Sequence, residues 1–302
     1  MKSVYTLEDL ESRELLDAGA GKPARLAVIG HPIAHSASPA MHQAALDAGG
    51  IDARYIRIEV EPGKVGAAFA RMRALGFIGC NVTVPHKLEA MDHCDEVQPD
   101  AQALGAVNTI RFDTDATRGF NTDGPGFALA IEEDFQVRFA SLKVVILGAG
   151  GGAGQAIATQ ACLLKIQELV VVNRTLEKLT PLVARLRDFS SSSEITALSF
   201  DDPALQAHCL SSELIVNTSS LGLRLDDPPI LPPSYLKKGH LVYDTIYQPP
   251  ETPLLAAANR LGCRTANGLS MLINQGALAF LHWFPGTAPL SVMRAALRAG
   301  AP

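Results

Sequence analysis

The sequence predicts an α/β protein made of two α/β domains, and three observations support this prediction. Short apolar strands alternate with amphipathic helices along nearly the whole chain, and strands separated by helices pair in parallel through right-handed crossovers. A glycine-rich stretch follows a buried strand near the middle of the chain. With 302 residues, of which 47% are hydrophobic, the chain is long enough to build two cores.

Charge and composition exclude several classes of protein. A formal net charge of -5, without a lysine or arginine stripe, argues against a nucleic-acid partner. No run approaches the roughly 18 apolar residues of a membrane span, and the acidic start is unlike a signal peptide, so we expect a cytoplasmic protein. Five scattered cysteines are interpreted as reduced thiols, and no metal site is expected. They are Cys80, Cys94, Cys162, Cys209 and Cys263.

The first domain is expected over residues 25–123, after a polar leader of residues 1–24. Strands of a mostly parallel sheet are predicted for RLAVIG (25–30), RYIRIEV (54–60) and FIGCNVTV (77–84). Two helical stretches separate them, SPAMHQAALDAGG and PGKVGAAFARMRALG, and the first has a serine as its cap. Turn residues in GAVNTIRFDTDATRGFNTDG indicate a hairpin that leads out of the domain, with the boundary near Gly124.

The second domain is expected over residues 124–266. After the helical FALAIEEDF, apolar strands alternate mostly with helical stretches. These strands are KVVILGAG (143–150), ELVVVNRT (168–175), ITALSF (195–200), SELIVNTS (212–219) and HLVYDTIY (240–247). Residues 267–302 hold two more helices, NGLSMLINQGALAFLHWF and SVMRAALRAG, and periodicity alone does not assign their role.

The stretch LGAGGGAGQAIA directly follows an apolar strand and opens a helix, which is the setting of a dinucleotide-binding turn. Gly148 permits the tight turn, and Gly150 or Gly151 lets backbone N–H groups approach a pyrophosphate. Small residues at Ala153 and Gly154 allow close packing of the helix. The second domain is therefore predicted to be Rossmann-like and to bind a nicotinamide dinucleotide.

The end of the next strand favours NADP. A dehydrogenase that prefers NAD usually places Asp or Glu there, to bond the ribose 2′-hydroxyl. This chain has Asn173, Arg174 and Thr175 instead. An arginine fork can clasp a 2′-phosphate, with Lys178 one turn later as a second positive charge. A glycine turn followed by a solvated arginine is the structural alternative, and NAD stays the second cofactor candidate.

If the second domain binds a nicotinamide, the first should supply a polar pocket and a proton donor. In HSASP, Ser36 and Ser38 can hold a carboxylate near a helix N-terminus. A role as helix cap would explain Ser38 but not Ser36. In NVTVPHK, Thr83 and Lys87 follow the carboxyl end of a strand, where ligands bind in open α/β sheets.

Two further motifs complete this polar set. GAVNT contains Asn108, whose amide both donates and accepts, and NTDG contains Asp123 in a turn before the domain boundary. We expect Asp123 to face a cleft between the domains. Each residue alone also has a structural explanation: a solvated Lys87, an Asx turn at Asp123, or a strand-end cap at Asn108. His86, beside the lysine, is expected to be structural.

Taken in order, the motifs of this chain closely resemble those of the shikimate dehydrogenase family, the shikimate/quinate 5-dehydrogenases. The motifs are GHPIAHSASPAMHQ, GCNVTVPHK, GAVNT, GFNTDG, LGAGG, VNRT, YDTIYQPPETPLL and NGLSMLINQ. The resemblance covers nearly the whole chain except the leader and the last helix. It implies a substrate-binding first domain, a Rossmann-like NAD(P)-binding second domain, and C-terminal helices that return to the first domain.

The resemblance also implies roles for individual residues. Lys87 and Asp123 correspond to the catalytic pair of a reversible hydride transfer between NADPH and 3-dehydroshikimate, in the shikimate pathway of aromatic amino acid biosynthesis. The substrate carboxylate is expected on Ser36, Ser38 and Tyr247, and the ring hydroxyls on Thr83, Asn108 and Gln275. The cofactor-binding candidates are Gly148, Ala149, Gly150, Gly151, Gly152, Asn173, Arg174, Thr175, Lys178, Thr218 and Gly268.

Two alternatives to an NADP-dependent shikimate dehydrogenase stay open. A quinate or amino-shikimate dehydrogenase with NAD or NADP is one, because Ser270 and Lys178 depart from residues common in the family and quinate only adds a hydroxyl beside the carboxylate. A catalytically inactive, cofactor-binding regulatory protein is the other, although intact Lys87 and Asp123 argue against it. The expected partner is a small cyclohexene carboxylate, and the expected state is a monomer or homodimer.

Overall fold

The structure, a computed structural model, describes residues 2–190, 192–224, 226–286 and 289–299. The chain divides into two compact units. The first unit comprises the chain up to Thr122 together with the part from Ile273 onward, and the second unit is Asp123–Leu272. Each unit contains a six-stranded sheet flanked by helices, so the predicted α/β fold is confirmed.

The first unit begins with a 3-10 turn, Glu8–Glu11, and then alternates helices and strands. In chain order these are α1 (Arg13–Leu16), β1 (Ala24–Gly30), α2 (Ser38–Ala48), β2 (Arg54–Glu59), α3 (Val65–Ala74), β3 (Gly79–Val82), α4 (Lys87–Asp92), β4 (Glu96–Val97), α5 (Pro99–Leu104), β5 (Thr109–Phe112) and β6 (Thr117–Phe120). The strand order is β2-β1-β3-β5-β6-β4. Only β5 runs antiparallel to its neighbours, as half of the predicted hairpin with β6.

The second unit continues the alternation. Its elements are α6 (Asp123–Phe135), β7 (Val144–Leu147), α7 (Gly152–Leu163), β8 (Glu168–Val172), α8 (Thr180–Phe189), β9 (Glu194–Leu198), α9 (Leu205–Ser211), β10 (Leu214–Asn217), β11 (Leu241–Asp244), α10 (Pro253–Arg260) and β12 (Arg264–Asn267). All strand pairs are parallel, in the order β12-β11-β10-β7-β8-β9. This order, with its reversal between the first and fourth strands of the unit, is that of a Rossmann sheet.

The last two helices are α11 (Leu269–Trp283) and α12 (Leu290–Ala299). The chain returns to the first unit within α11. There the indole Nε1 of Trp283 donates to the carbonyl oxygen of Ile110 at 2.8 Å, and Gly276 lies so close to Met41 on α2 that a Cβ would come within 2.3 Å of its methyl carbon. A side chain at position 276 would therefore require the Met41 side chain on α2 to move.

The N-terminal segment packs as part of the first unit. Tyr5 forms a parallel bridge with Ile58 on β2, and its backbone exchanges hydrogen bonds with Arg57 and Glu59. Leu10 and Leu16 are buried in the same core. This packing depends on contacts more than 40 residues apart in the chain, which explains why local patterns did not reveal it.

Several local expectations were wrong. Ser38 does not cap α2, because Ala37 occupies the cap position and makes no side-chain cap bond. Asp123 is the first residue of α6 rather than part of a turn. The third strand is shorter than predicted, Gly79–Val82, which leaves Thr83 just beyond its end. Within the described part of the chain, no helix is long and apolar enough to cross a membrane.

Candidate active site

The edge of the first sheet brings several predicted site segments together. Val82 at the end of β3 pairs with Ile29 near the end of β1. On the other side of β3, Asn81 pairs with Thr109 at the start of β5, which pairs with Phe120 at the end of β6. The residues that follow β1, β3 and β6, and those that precede β5, therefore leave the sheet at one edge. These are the segments that carry Ser36, Thr83, Lys87 and Asn108.

The serine segment is fixed by an arginine that sequence reasoning missed. On β2, Arg57 donates from Nε and Nη2 to the carbonyl oxygen of Ser36, at 3.0 and 2.6 Å. The backbone N–H of Ser38 lies 3.4 Å from Ser36 Oγ. Because Ser38 does not cap α2, its hydroxyl is not used to cap the N-terminus of that helix. The two serines lie at the N-terminal end of α2, where the helix dipole favours an anion.

The corner after β3 presents Thr83 and Lys87. The side chain of Thr83 lies over Gly30, where a Cβ would approach its methyl group to 2.6 Å. The carbonyl oxygen of Thr83 accepts from the backbone N–H of His86 at 3.0 Å, and Lys87 is the first residue of α4. The carbonyl oxygen of Lys87 accepts from the backbone N–H of Val107 at 3.0 Å. The lysine backbone is thus attached to the segment that carries Asn108.

Asn108 is buried and its amide is engaged within the first unit. Its Oδ1 accepts from the backbone N–H of Thr122 at 2.9 Å and from Thr109 Oγ1 at 3.0 Å, while its Nδ2 donates to Thr122 Oγ1 at 3.0 Å. These bonds hold Thr122, the residue directly before Asp123. Asn108 therefore orders the start of the NTDG motif, a role that its strand-end position did not indicate.

A buried pair, Tyr55 and Asn81, supports this arrangement from inside the sheet. The hydroxyl of Tyr55 donates to Asn81 Oδ1 at 2.7 Å, and Asn81 Nδ2 donates to the carbonyl oxygen of Asn108 and to Thr109 Oγ1, each at 3.2 Å. Burial raises the pKa of the Tyr55 hydroxyl, so it stays a donor. The sequence signal for Asn81 was a polar residue inside the buried strand GCNV, which sequence reasoning did not use.

Gln275 and Tyr247 are both half-buried. Gln275 lies on the part of α11 that belongs to the first unit, beside the close contact of Gly276 with α2. Tyr247 lies in the second unit, three residues after β11, and burial raises the pKa of its hydroxyl.

The glycine-rich turn of the second unit has the shape that a dinucleotide requires. Gly148 has a φ of 81°, and its backbone N–H and that of Ala149 both donate to the carbonyl oxygen of Val172, at 2.8 and 3.0 Å. A Cβ on Gly154 would come within 2.6 Å of the Cα of Ala149. The helix α7 can therefore start close to the turn only if position 154 has no side chain. Gly151 and Gly152 at the helix start are exposed.

Two side chains that sequence reasoning missed brace this turn. Gln155 donates from Nε2 to the carbonyl oxygen of Gly150 at 3.1 Å, and Arg185 on α8 donates from Nη2 to Gln155 Oε1 at 3.0 Å. Gly150 itself faces Asn173, whose side-chain atoms would lie 3.0 Å from a Cβ there. The backbone at Gly150 is thus held between two strand ends and the first turn of α7.

The basic position after β8 is accessible. Arg174, Thr175 and Lys178 are exposed, while Asn173 is half-buried and donates from Nδ2 to the carbonyl oxygen of Thr175 at 2.8 Å. The exposed amides at the start of α7 suit a pyrophosphate, and the exposed Arg174 suits a 2′-phosphate. The residues present therefore fit NADP.

A buried carboxylate organises the neighbouring strand ends. Asp244 at the end of β11 accepts from Thr252 Oγ1 at 2.7 Å and from Asn217 Nδ2 at 3.1 Å, and burial raises its pKa. Asn217 Oδ1 in turn accepts from the backbone N–H of Ser219 at 3.0 Å, and a Cβ on Gly148 would lie 2.8 Å from Ser219 Cβ. Asp244, in the YDTIYQPPETPLL motif, thus shapes the wall of the glycine turn through Asn217 and Ser219.

The two remaining cofactor candidates lie at strand ends of this unit. Thr218 donates from Oγ1 to the carbonyl oxygen of Leu147, the last residue before the glycine turn, at 2.8 Å. Gly268 lies directly after β12, where a Cβ would come within 2.0 Å of the carbonyl oxygen of Thr245. Position 268 therefore admits only glycine without a backbone shift.

A Rossmann unit with a glycine-rich turn and an exposed arginine after its second strand, joined in one chain to an α/β unit with a polar sheet edge, is typical of a nicotinamide-dependent dehydrogenase. Two family models match the chain. The shikimate dehydrogenase substrate binding domain matches residues 28–110, and the shikimate 5′-dehydrogenase C-terminal domain matches residues 268–298.

Similar proteins agree with these matches. A shikimate dehydrogenase (NADP(+)) of Moorella thermoacetica is 43% identical over 279 residues, with 90% of this chain and 92% of its own covered. The structure of shikimate 5-dehydrogenase from Thermus thermophilus, in complex with NADP(H) and shikimate, matches with a TM-score of 0.81 at 33% identity, covering 92% of this chain and 100% of its own. Quinate dehydrogenase from Corynebacterium glutamicum, in complex with NAD, matches with a TM-score of 0.83 at 31% identity, covering 91% of this chain and 98% of its own.

The chain belongs to the shikimate dehydrogenase family. The resemblance inferred from its motifs is thereby confirmed.

Proposed function

We propose that this protein is an NADP-dependent oxidoreductase that reversibly reduces 3-dehydroshikimate to shikimate, a step of aromatic amino acid biosynthesis. The observation that carries the proposal is the polar edge of the first sheet. There the segments that carry Ser36, Thr83, Lys87 and Asn108 leave neighbouring strands at the same edge. The other unit of the chain has a glycine-rich turn whose residues fit NADP. The NADP(+)-dependent relative at 43% identity supports the choice of cofactor.

Lys87 is proposed to move the proton of this reaction. NADPH supplies the hydride when bound. As the carbonyl oxygen of the substrate gains negative charge, the Lys87 ammonium donates a proton to it, and in the reverse direction the neutral amine takes the proton back. Lys87 begins α4, where the helix dipole disfavours a cation. Its position is therefore poorly explained by helix stability, which supports a functional role.

Asp123 is proposed to orient the lysine and a substrate hydroxyl. It is buried and is the first residue of α6, where the helix dipole favours a carboxylate. The side-chain amide of Asn108 holds Thr122, the residue directly before Asp123, by two hydrogen bonds. A carboxylate held in this way can accept hydrogen bonds from an ammonium or a hydroxyl without moving.

The protein is proposed to bind both the carboxylate and the ring hydroxyls of the substrate. The hydroxyls of Ser36 and Ser38, at the N-terminal end of α2, suit the carboxylate, together with the hydroxyl of Tyr247. Thr83, Asn108 and Gln275 are proposed to bind the ring hydroxyls. On the cofactor side, residues 148–152 and 173–175 are proposed to bind the pyrophosphate and the 2′-phosphate, together with Lys178, Thr218 and Gly268.

A quinate dehydrogenase is the second candidate function. The specific observation in its favour is the similarity to the quinate dehydrogenase of Corynebacterium glutamicum, solved with NAD, at 31% identity. Against the use of NAD stands Arg174, because an arginine cannot accept a hydrogen bond from a ribose 2′-hydroxyl. A cofactor-binding regulatory protein without turnover is the candidate of another class.

One assay separates these functions. Purified protein is mixed with shikimate or quinate and with NADP+ or NAD+, and the absorbance band of the reduced nicotinamide is followed. We expect the highest kcat/KM for shikimate with NADP+. A preference for quinate with NAD+ would replace the proposal by the quinate function. No reduction with any pairing would favour the regulatory protein.

A cytoplasmic location and a monomeric or homodimeric state belong to the same proposal. All five cysteines are free, and four of them are buried, which is consistent with a reducing compartment.

A further inference from the structure

We propose that Glu89 and His86 are positioning residues, which fasten α4 to the start of α3 and so set the direction in which Lys87 points. The inference rests on the proposed function of Lys87. It adds a positioning role for Glu89, which the sequence analysis did not single out, and for His86, which was expected only to be structural. Both belong to the same short stretch as the lysine, and both bind backbone groups of the connection between β2 and α3.

Glu89 acts as the missing cap of a different helix. The N-cap residue of α3, Lys64, makes no side-chain cap bond. Instead the carboxylate of Glu89 accepts from the backbone N–H of Gly63 at 2.9 Å and from that of Val65 at 3.0 Å. A carboxylate at a helix N-terminus is also favoured by the helix dipole. Glu89 therefore joins α4 to α3 through two charge-assisted hydrogen bonds.

The charge of Glu89 is maintained by these bonds. Burial by itself raises the pKa of the Glu89 carboxyl. The hydrogen bonds from the N–H groups of Gly63 and Val65 lower it, and the net effect is a pKa below the usual value. His86 and His93 contribute in the same direction. The carboxylate is thus ionised at neutral pH.

His86 makes the second attachment. Its ring is almost fully buried, and Nε2 lies 2.6 Å from the carbonyl oxygen of Val60. Because a carbonyl oxygen only accepts, Nε2 carries the hydrogen in this bond. One turn beyond Glu89, the ring of His93 covers Gly66, where a Cβ would come within 2.6 Å of it. The contacts of His86, Glu89 and His93 thus lie along one side of α4, at helical spacing.

The other side of α4 carries the lysine. Leu88 is 67% exposed and Lys87 is half-buried. With only six residues, Lys87–Asp92, α4 is too short to be stable by itself. Its direction must therefore come from its attachments, and a loosened α4 would move the Lys87 amine relative to the substrate oxygen. A displacement of about 1 Å can lower turnover roughly 100-fold.

The test compares Glu89→Gln, His86→Leu and His86→Gln with the wild type. Glu89→Gln keeps the size of the side chain but loses the charge and one acceptor. His86→Leu removes the donor to Val60, whereas His86→Gln places an amide N–H near the position of Nε2. The matched control is Glu61→Gln, an exposed glutamate in the same connection. Folding of each variant is checked by circular dichroism.

Two readouts are measured. The first is kcat for shikimate oxidation, with KM for NADP+. The second is the NMR signal of Lys87 after reductive ¹³C-methylation, assigned with Lys87→Arg, which does not depend on turnover. We expect Glu89→Gln and His86→Leu to lower kcat by about 10- to 100-fold and to shift the Lys87 signal, with KM for NADP+ within about twofold of the wild type. His86→Gln should recover most of both readouts, and Glu61→Gln should match the wild type.

The inference is overturned if the Lys87 signal in Glu89→Gln and His86→Leu stays as in the wild type, even where their melting temperature falls. That result would leave both residues with a role in stability only. If Glu89→Gln does not fold, the two His86 variants carry the same test. A wild-type protein that does not oxidise shikimate defeats the proposed function instead, and the Lys87 signal still decides whether α4 positions the lysine.

Discussion

At the scale of single residues, several segments of the candidate site are held through their backbone atoms. Arg57 binds the carbonyl oxygen of Ser36, Glu89 binds two backbone N–H groups, and Val107 binds the carbonyl oxygen of Lys87. Backbone partners fix a segment without using the side chain that faces a ligand. The fold therefore positions the segments that carry Ser36 and Lys87 through their backbone atoms.

Arg174 should decide the choice between the two nicotinamide cofactors. Replacing it by alanine removes charge-assisted hydrogen bonds to a 2′-phosphate, each worth about 1.5–3 kcal/mol. We expect Arg174→Ala to raise KM for NADPH by about 10- to 100-fold and KM for NADH by less than about threefold. Steady-state kinetics with both cofactors measure this, with the exposed Arg138→Ala as control. Equal effects on both cofactors would remove the 2′-phosphate assignment.

Residue types and motif order were enough to predict the candidate site residues, but not the residues that hold them in place. The NVTVPHK and NTDG motifs led to Lys87 and Asp123 through a family resemblance. Glu89 was not recognised, because its partners Gly63 and Val65 lie 26 and 24 positions away in the chain. The cap expected at Ser38 was wrong since the chain enters α2 one residue earlier, at Ala37.

At the scale of elements, the strand, glycine turn and helix of the second unit form the best-predicted part of the fold. In an α/β protein, a buried apolar run such as VVIL followed by glycines is typical of a parallel strand that leads into a dinucleotide-binding turn. The strand β12, Arg264–Asn267, was missed because its four residues are polar or small and are not fully buried, as expected at a sheet edge. β4, with two residues, is too short for any periodic signal.

Gly154 and Gly152 provide a matched test of the glycine turn. A Cβ at Gly154 would lie 2.6 Å from the Cα of Ala149 and 3.0 Å from the carbonyl oxygen of Gly148, whereas one at Gly152 would meet no atom within 4 Å. Gly154→Ala should therefore lower the free energy of unfolding by about 1–3 kcal/mol, because α7 must shift. Gly152→Ala should be neutral or stabilise by up to about 1 kcal/mol. Thermal unfolding of both variants measures this, and similar melting temperatures would contradict the close packing at Gly154.

At the scale of the whole molecule, stability should depend on pH through His42. This side chain is fully buried in the first unit and stacks on Tyr55 with ring centres 4.5 Å apart, and burial lowers its pKa from 6.5 to about 3. Between these two values the unfolded chain binds a proton that the folded chain does not. The contribution of His42 to stability is therefore present above about pH 6.5 and is lost as the pH is lowered toward 3.

We expect acidification from pH 7 to pH 5 to lower the free energy of unfolding by about 2 kcal/mol through His42 alone. His42→Phe keeps a stacked ring and should remove this part of the pH dependence, whereas the exposed His35→Ala should not. Urea unfolding at several pH values compares the three proteins. A difference between the wild type and His42→Phe that stays constant from pH 7 to pH 5 would contradict the assignment.

Long-range contacts mark the limit of prediction for the molecule as a whole. The alternation of strands and helices was sufficient for two α/β units and for the Rossmann sheet. The attachment of Tyr5 to Ile58 and of Trp283 to Ile110 was beyond local patterns, because each joins segments far apart in the chain. The family resemblance led to the expectation that the late helix returns to the first domain, which its own periodicity did not indicate.

The central claim is that Lys87 moves the proton in a reversible hydride transfer between NADP and shikimate. The most direct measurement is the turnover of Lys87→Ala in shikimate-dependent NADP+ reduction, together with its shikimate affinity by titration calorimetry. Loss of a general acid lowers turnover by about 10²- to 10⁴-fold, and we expect this loss with an affinity within about tenfold of the wild type. Turnover of Lys87→Ala close to that of the wild type would contradict the account.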